Sequence, residues 1–257
     1  MAKFKDKLNR GETVIGPWIS LSDPVAVEII GRAGFDFLLI DGEHAPFNET
    51  GLRDALIACD NTPAEAVIRV RANEEPRIKL ALDLGADGVL VPMVNTPDDA
   101  RQAVKAAKYP MLGGRGVAPW RASKYYQEAE SYIAGANDAT ALIIQIEHKD
   151  AVADIDAIIA VEGVDAIFVG PADLTASLGH GTNTGNPDTL AAIERVAEAC
   201  TAKGMAMAID CASADHMARW HALGYRFFTF SADIDYLDTG ARAAVAAAHG
   251  AIKAATS

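Results

Sequence analysis

The sequence predicts an α/β protein built as one closed (β/α)8 barrel of the TIM type, and three observations lead there. Eight short apolar or β-branched runs alternate with helix-length stretches along 257 residues. Three joints, Ala33-Gly-Phe-Asp36, Leu84-Gly-Ala-Asp87 and Glu162-Gly-Val-Asp165, repeat one pattern between a helix and the next strand. Barrels of about 250 residues are usual, and repeated strand–helix units produce this alternation. No linker or composition shift interrupts the chain, so residues 1–257 are expected to form a single domain.

The expected strands are Thr13–Ile19, Phe35–Asp41, Ala66–Arg71, Gly88–Pro92, Ala141–Glu147, Ala166–Gly170, Met205–Asp210 and Arg226–Ser231. Asp23-Pro24 reads as an N-cap with proline at the first helical position, and that helix should end near Gly31. Glu75-Pro76 opens another that stops at Gly85. Thr96-Pro97-Asp98-Asp99 opens a third, its acids suited to the positive end of the helix dipole. Pro187-Asp188 begins a long helix ending at Gly204. In the three joints, glycine would supply the left-handed helix cap.

Two stretches break the rhythm. Residues 109–140, with Gly113-Gly-Arg-Gly116 and the aromatics Trp120, Tyr125 and Tyr126, should form an elaborated loop plus helix over one barrel end. The loop from His180 to Pro187 follows Asp173 and is placed to act as a lid. The Ala-rich tail from Gly240 reads as a helix suited to close packing, including on another subunit.

Composition excludes several function classes. A net charge of −12 argues against nucleic-acid partners, which need a basic face. The N-terminus is charged and does not read as a signal peptide, and no run of about 18 apolar residues would span a membrane. Cys59, Cys200 and Cys211 are odd in number with no Cys-x-x-Cys, against a disulfide framework or structural zinc. A soluble cytoplasmic protein is the expectation. No Gly-x-Gly-x-x-Gly joins a strand to a helix, so NAD is not expected. No strand end carries a lysine aimed into the lumen, which leaves a Schiff base without its nucleophile.

Functional groups in such barrels gather where the strands end. Ile143-Ile-Gln-Ile-Glu147 and Ala166-Ile-Phe-Val-Gly-Pro-Ala-Asp173 each end in an acid, and two carboxylates at one edge suit a hard divalent metal. Gln145 and Glu147 lie two apart and share a face. The plainer alternatives are that Glu147 caps a helix at Asp150 and that Asp173 is an N-cap. Arg69 and Arg71 share strand parity, and an arginine inside a barrel needs an anion: a carboxylate-bearing substrate, or a salt-bridge partner, above all for Arg71. In Asp41-Gly-Glu-His44, the aspartate could orient the imidazole and raise its basicity, or the histidine could simply be exposed.

Together these residues resemble the HpcH/HpaI aldolase family, the metal-dependent (class II) pyruvate aldolases. The resemblance runs over nearly the whole chain and is strongest in Phe35–Pro46, Leu90-Val-Pro-Met-Val94, Gln145-Ile-Glu147 and Val161–Leu174. It implies that Glu147 and Asp173 hold Mg²⁺ or Mn²⁺, with Co²⁺ possible, and that no PLP is used. It implies that Arg69 stands beside the substrate keto oxygen and that His44 with Asp41 is the acid/base pair. Gln145 is then a polar neighbour and Trp18 lines the pocket. The backbone amides of Gly170, Ala172 and Asp173 receive the substrate carboxylate, and Asp83 reaches a neighbouring subunit's site. The implied reaction is reversible cleavage of 4-hydroxy-2-oxo acids to pyruvate, or a related acid such as hydroxypyruvate, and an aldehyde. The implied assembly is a hexamer, a trimer of dimers with the C-terminal helix exchanged. Around Gly113–Ser123 the chain departs from that pattern.

Two rival readings remain at this stage. A Claisen-type lyase on malyl- or citramalyl-CoA thioesters would use similar carboxylates but needs a basic surface for CoA, and no such cluster stands out. A catalytically silent barrel that senses a 2-oxo acid would be expected to have lost its base or a metal ligand.

Overall fold

In a computed structural model, which describes residues 4–256, the strands close into a barrel in the order β1 to β8, every neighbouring pair parallel. The strands are β1 Val14–Ile19, β2 Phe37–Asp41, β3 Glu65–Arg69, β4 Gly88–Val91, β5 Ala141–Ile146, β6 Ala166–Val169, β7 Ala206–Cys211 and β8 Phe227–Ala232. The helices are α1 Phe4–Asn9, α2 Pro24–Gly31, α3 Glu49–Cys59, α4 Glu75–Asp83, α5 Pro97–Ala107, α6 Ala129–Ala139, α7 Lys149–Ala153, α8 Ile155–Ile158, α9 Pro171–Ser177, α10 Pro187–Lys203, α11 Ala214–Ala222 and α12 Asp233–Thr256. All eight expected strands are present, with ends displaced by one or two residues. β3 stops at Arg69, so Arg71 lies beyond the strand and donates to the carbonyls of Gly42 and Phe47, and it has no ion pair among the described residues.

The helix starts follow their capping chemistry. Asp23 accepts from the amide of Val25, and Thr96 and Asp99 form a reciprocal capping box at α5. The Gly-x-Asp joints do more than end helices. Gly34, Gly85 and Gly163 have φ near +100°, as expected of left-handed caps. The aspartate then makes a two-way clasp that the sequence reading did not foresee. Asp36 donates its amide to Ile15 O and accepts from Ile15 N; Asp87 does the same with Ala66, and Asp165 with Leu142. Each clasp holds the start of one strand against its neighbour.

Strand alternation divides the core in two. Outward residues such as Ile40, Ile68, Ile144 and Ile209 pack beneath the helices. Inward residues, among them Phe37, Leu39, Val67, Ile143, Phe168 and Phe227, fill the lumen. Phe4 of α1 plugs the N-terminal end, its ring 5.5 Å from Phe37 and 5.2 Å from Phe227. That end is also closed by ion pairs. Lys5 and the buried Lys108 share Asp165 at 2.8 and 2.7 Å, and Lys7 meets Glu65 at 3.0 Å.

The stretch before α6 lies at this same N-terminal end, since it connects the end of α5 to the start of β5. Arg115 from it is buried and grips the Asp83 carboxylate at 2.6 Å. Beyond its first turn α12 exposes Leu237, Val245 and Ile252. No helix among the described residues is long and apolar enough to cross a membrane.

Candidate active site

Inward parity at the C-terminal ends of the strands delivers the polar groups to one mouth. On β2 and β3 the positions after Leu39 and Val67 are Asp41 and Arg69, opposite each other in register. Their contact is a two-pronged ion pair: Arg69 Nε donates to Asp41 Oδ1 at 3.0 Å, and Nη2 lies 2.8 Å from Oδ2. The remaining nitrogen, Nη1, stands 3.4 Å from Glu43 Oε2. The guanidinium also lies over the Trp18 ring, 4.3 Å from its centroid, within the range of a cation–π contact. Burial alone would push Asp41 upward, but the hydrogen bond and charge of Arg69 prevail and hold it below the ordinary carboxylate value.

Asp41 does not orient the imidazole of His44. Its Oδ1 accepts the backbone amides of Glu43 and His44, so it shapes the loop, and its charge is spent on Arg69. The side chain of His44 is 67% exposed, with Nε2 3.7 Å from Glu43 Oε2. Glu43, which the sequence reading passed over, is thus the acid between His44 and Arg69. Burial raises its pKa, and the charges of Asp41 and Asp173 add to that rise against Arg69 and His44.

β5 carries Gln145, and Glu147 directly follows its last residue at the same mouth. Glu147 points inward and does not cap α7, whose N-cap is His148. Its Oε1 accepts the amide of Met93 at 2.7 Å, a residue held at φ 54°, and its Oε2 accepts from Gln145 Nε2. Burial raises the pKa of Glu147, and Glu43 and Asp173 raise it further against the Met93 and Gln145 hydrogen bonds. Asp173 sits in the first turn of α9, whose N-cap is Gly170. Its charge therefore acts on both glutamates, and the mouth concentrates negative charge.

The Gly170 amide is not available to a substrate carboxylate. It donates to Ile146 O in the β5–β6 ladder, as sheet pairing requires. What Gly170 supplies is room: a Cβ there would lie 3.1 Å from Gln145 Nε2 and 3.2 Å from Glu147 Oε2. Ala172 and Asp173 occupy the first turn of α9, where helix amides have no partner within the helix. Asp83 is placed far from this mouth, at the C-terminal end of α4 and held by Arg115 of its own chain.

The donor set fits a divalent cation. Gln145 Oε1 is buried without a hydrogen-bond partner, beside a carboxylate held above its usual pKa by burial and like charge. An oxygen-seeking cation would satisfy both. Among the described residues no group of three or more His, Cys, Asp and Glu is arranged to hold a metal.

Asp210 was missed. It ends the inward series Ala206, Ala208, Asp210 on β7, and Trp18 Nε1 donates to its Oδ1 at 2.8 Å. Parity alone could have placed it at the mouth.

Comparison with known proteins places the chain in a family. The HpcH/HpaI aldolase/citrate lyase family matches residues 15–235. A hydroxypyruvate/pyruvate aldolase of Roseobacter denitrificans is 42% identical over 91% of this chain and 92% of its own. A 4-hydroxy-2-oxo-heptane-1,7-dioate aldolase of Klebsiella pneumoniae is 41% identical over 95% of this chain and 92% of its own. The crystal structure of a family protein from Burkholderia cenocepacia superposes with a TM-score of 0.90 at 37% identity, covering 95% of this chain and 98% of that one. With its barrel, its mouth and its relatives in agreement, this chain belongs to the HpcH/HpaI aldolase/citrate lyase family.

Proposed function

We propose that the protein is a metal-dependent carbon–carbon lyase that reversibly cleaves 4-hydroxy-2-oxo acids to pyruvate, or a related acid such as hydroxypyruvate, and an aldehyde. One observation carries the reading: a buried arginine, fixed on two sides, shares the barrel mouth with a buried glutamate and an unpartnered amide oxygen. The first is suited to an oxyanion and the second to a divalent cation. The names of the two relatives, a hydroxypyruvate/pyruvate aldolase and a 4-hydroxy-2-oxo-heptane-1,7-dioate aldolase, support the same chemistry.

Glu147 and Asp173 would hold Mg²⁺ or Mn²⁺, with Gln145 Oε1 toward the same space; Co²⁺ would also fit this oxygen set. The bound cation would act as a Lewis acid toward the 2-oxo acid, lowering the cost of charge on its oxygens. The amides of Ala172 and Asp173 receive the substrate carboxylate, and Trp18 walls the pocket. Arg69 spends Nε and Nη2 on Asp41, and Nη1, which also lies 3.4 Å from Glu43 Oε2, would serve the keto oxygen, where negative charge grows as C3 loses its proton or its bond to C4. His44, at the rim and beside Glu43, moves the proton, directly or through water. In cleavage the 4-hydroxyl loses its proton, the C3–C4 bond breaks, its electrons pass toward the keto oxygen, and a proton returns to C3.

We also assign the exposed apolar residues of α12 to exchange with a partner subunit in a trimer of dimers, and Asp83 to the neighbouring mouth. A cytoplasmic location suits three buried free thiols.

The test is a panel of aldehydes offered with pyruvate or hydroxypyruvate, with and without chelator. Carbon–carbon bond formation that stops on chelation and returns with Mg²⁺ or Mn²⁺ is expected, while borohydride with pyruvate leaves the enzyme active. Full turnover in exhaustively metal-stripped protein would overturn the reading, as would turnover confined to CoA thioesters.

A further inference from the structure

We propose that Asp210 is a positioning residue that sets the angle of Arg69 through the indole of Trp18. The inference rests on the role given to Arg69 above. Trp18 is the flat surface under the guanidinium, 4.3 Å from Arg69 Cζ to the ring centroid. Trp18 pairs in register with Leu39 of β2, but on the β8 side its placement is not secured by regular strand pairing. The register of β1 on β8 runs Gly16 with Thr229 and then Trp18 with Ala232, so a bulge falls just before the tryptophan. Bulges re-aim a side chain and disturb the local ladder, so the new direction needs another hold.

Asp210 supplies that hold. Its Oδ1 accepts from Trp18 Nε1 at 2.8 Å and from Thr229 Oγ1 at 2.6 Å. Thr229 is fully buried and pairs with Asp210 in register, so it fixes the carboxylate from the neighbouring strand. The edge of Phe168, 6.1 Å away at 81°, bounds the ring from within the lumen. The indole N–H is a donor only and finds its acceptor in Asp210. Asp41 grips the guanidinium edge and Trp18 its face. Together they fix the plane in which Nη1 is presented. An arc across β7, β8, β1, β2 and β3 thus fixes one nitrogen at the barrel mouth, 3.4 Å from Glu43 Oε2. The electrostatic gain of such a donor depends on preorganised direction, and a shift of about 1 Å from a distant change can cost about a hundredfold.

A double-mutant cycle on the metal-loaded enzyme tests this, with cleavage of a 4-hydroxy-2-oxo acid followed by pyruvate release. Asp210→Ala is expected to lower kcat by about ten- to a hundredfold while KM moves much less, because the aim matters most as charge develops. Asp210→Asn keeps an acceptor oxygen for both donors and is expected to stay within about threefold of wild type. In a Trp18→Phe background, which has no indole N–H to hold, Asp210→Ala should cost less than about twofold more. Near-ultraviolet circular dichroism of the metal-free protein should change with Asp210→Ala and not with Asp210→Asn. If Asp210→Ala does not fold, Asp210→Ser takes its place in the same cycle. An equal loss in both backgrounds, or Asp210→Asn as impaired as Asp210→Ala, overturns the proposal, since the carboxylate would then act independently of the ring. Arg69→Lys impaired with Asp210→Ala unimpaired overturns this inference alone. Arg69→Lys at full turnover overturns the role of Arg69 and this inference together.

Discussion

The two ends of this barrel hold their ionised groups in opposite conditions. At the N-terminal end Asp165 is shared by Lys5 and Lys108 and also accepts the Leu142 amide. At the mouth the charge of Asp173 raises the pKa of both Glu43 and Glu147, and the cation facing Glu43 is Arg69, with the exposed His44 beside it. One end is balanced within the chain and the other is left short of positive charge. The difference teaches where the ligand belongs: the acid at the structural end is paired with lysines of its own chain, while the acids at the mouth are suited to a cation and a substrate.

The contrast can be broken from either end. The largest expected effect is on chemistry at the mouth: His44→Ala should lower kcat by roughly 10²–10⁴-fold with a much smaller rise in the pyruvate KM, read by steady-state kinetics. At the opposite end, Asp165→Ala leaves two buried cations unpaired and should cost about 3–5 kcal/mol in denaturant unfolding. It should leave the pyruvate KM of the folded fraction unchanged. A KM shift there would mean that the ends are not independent.

Glu147→Gln sharpens the comparison because its effects on stability and function should have opposite signs. The folded protein holds a proton on Glu147 more tightly than the unfolded chain does. In metal-free wild type, stability attributable to this group is therefore lost as pH rises from the ordinary glutamate value through the raised one. At neutral pH the charge is a burden, so the amide should raise the metal-free Tm by roughly 3 °C. Mg²⁺ or Mn²⁺ should raise the Tm of wild type and not of the variant. A lower metal-free Tm in Glu147→Gln would show that the carboxylate is already satisfied. The smallest effect is expected away from both ends. Burial pushes the thiols of Cys59, Cys200 and Cys211 up to about 12, so native protein should react with thiol reagents only as fast as it unfolds.

Much of this was legible in the sequence for a simple reason. Strand position and parity are local properties, and a barrel places inward residues at the strand ends without further information. Asp41, Arg69, Gln145 and Glu147 could be found that way. Partner choice was not legible, because it depends on how the strands close. Asp41 looked like a guide for His44 only because the two are near in sequence; across the β2–β3 register its neighbour is Arg69. Arg71 shared parity with Arg69 on paper, but the strand ended first. Asp210 acquires Trp18 as a partner only when β8 meets β1 through a register shift; Gly16-Pro17 marks the place of that shift but not the contact it creates. Gly170 was read for its amide, whereas sheet pairing takes the amide and leaves the absence of a side chain as the useful property.

The aspartate clasps between Asp36 and Ile15, Asp87 and Ala66, and Asp165 and Leu142 carry a further consequence. Each joins only adjacent strands, and all three lie at strand starts, a barrel's length from the loops that meet substrate. Grafting a foreign loop after a strand therefore leaves these stitches untouched. The architecture is suited to exchange of acceptor preference by loop replacement, with the scaffold keeping its register.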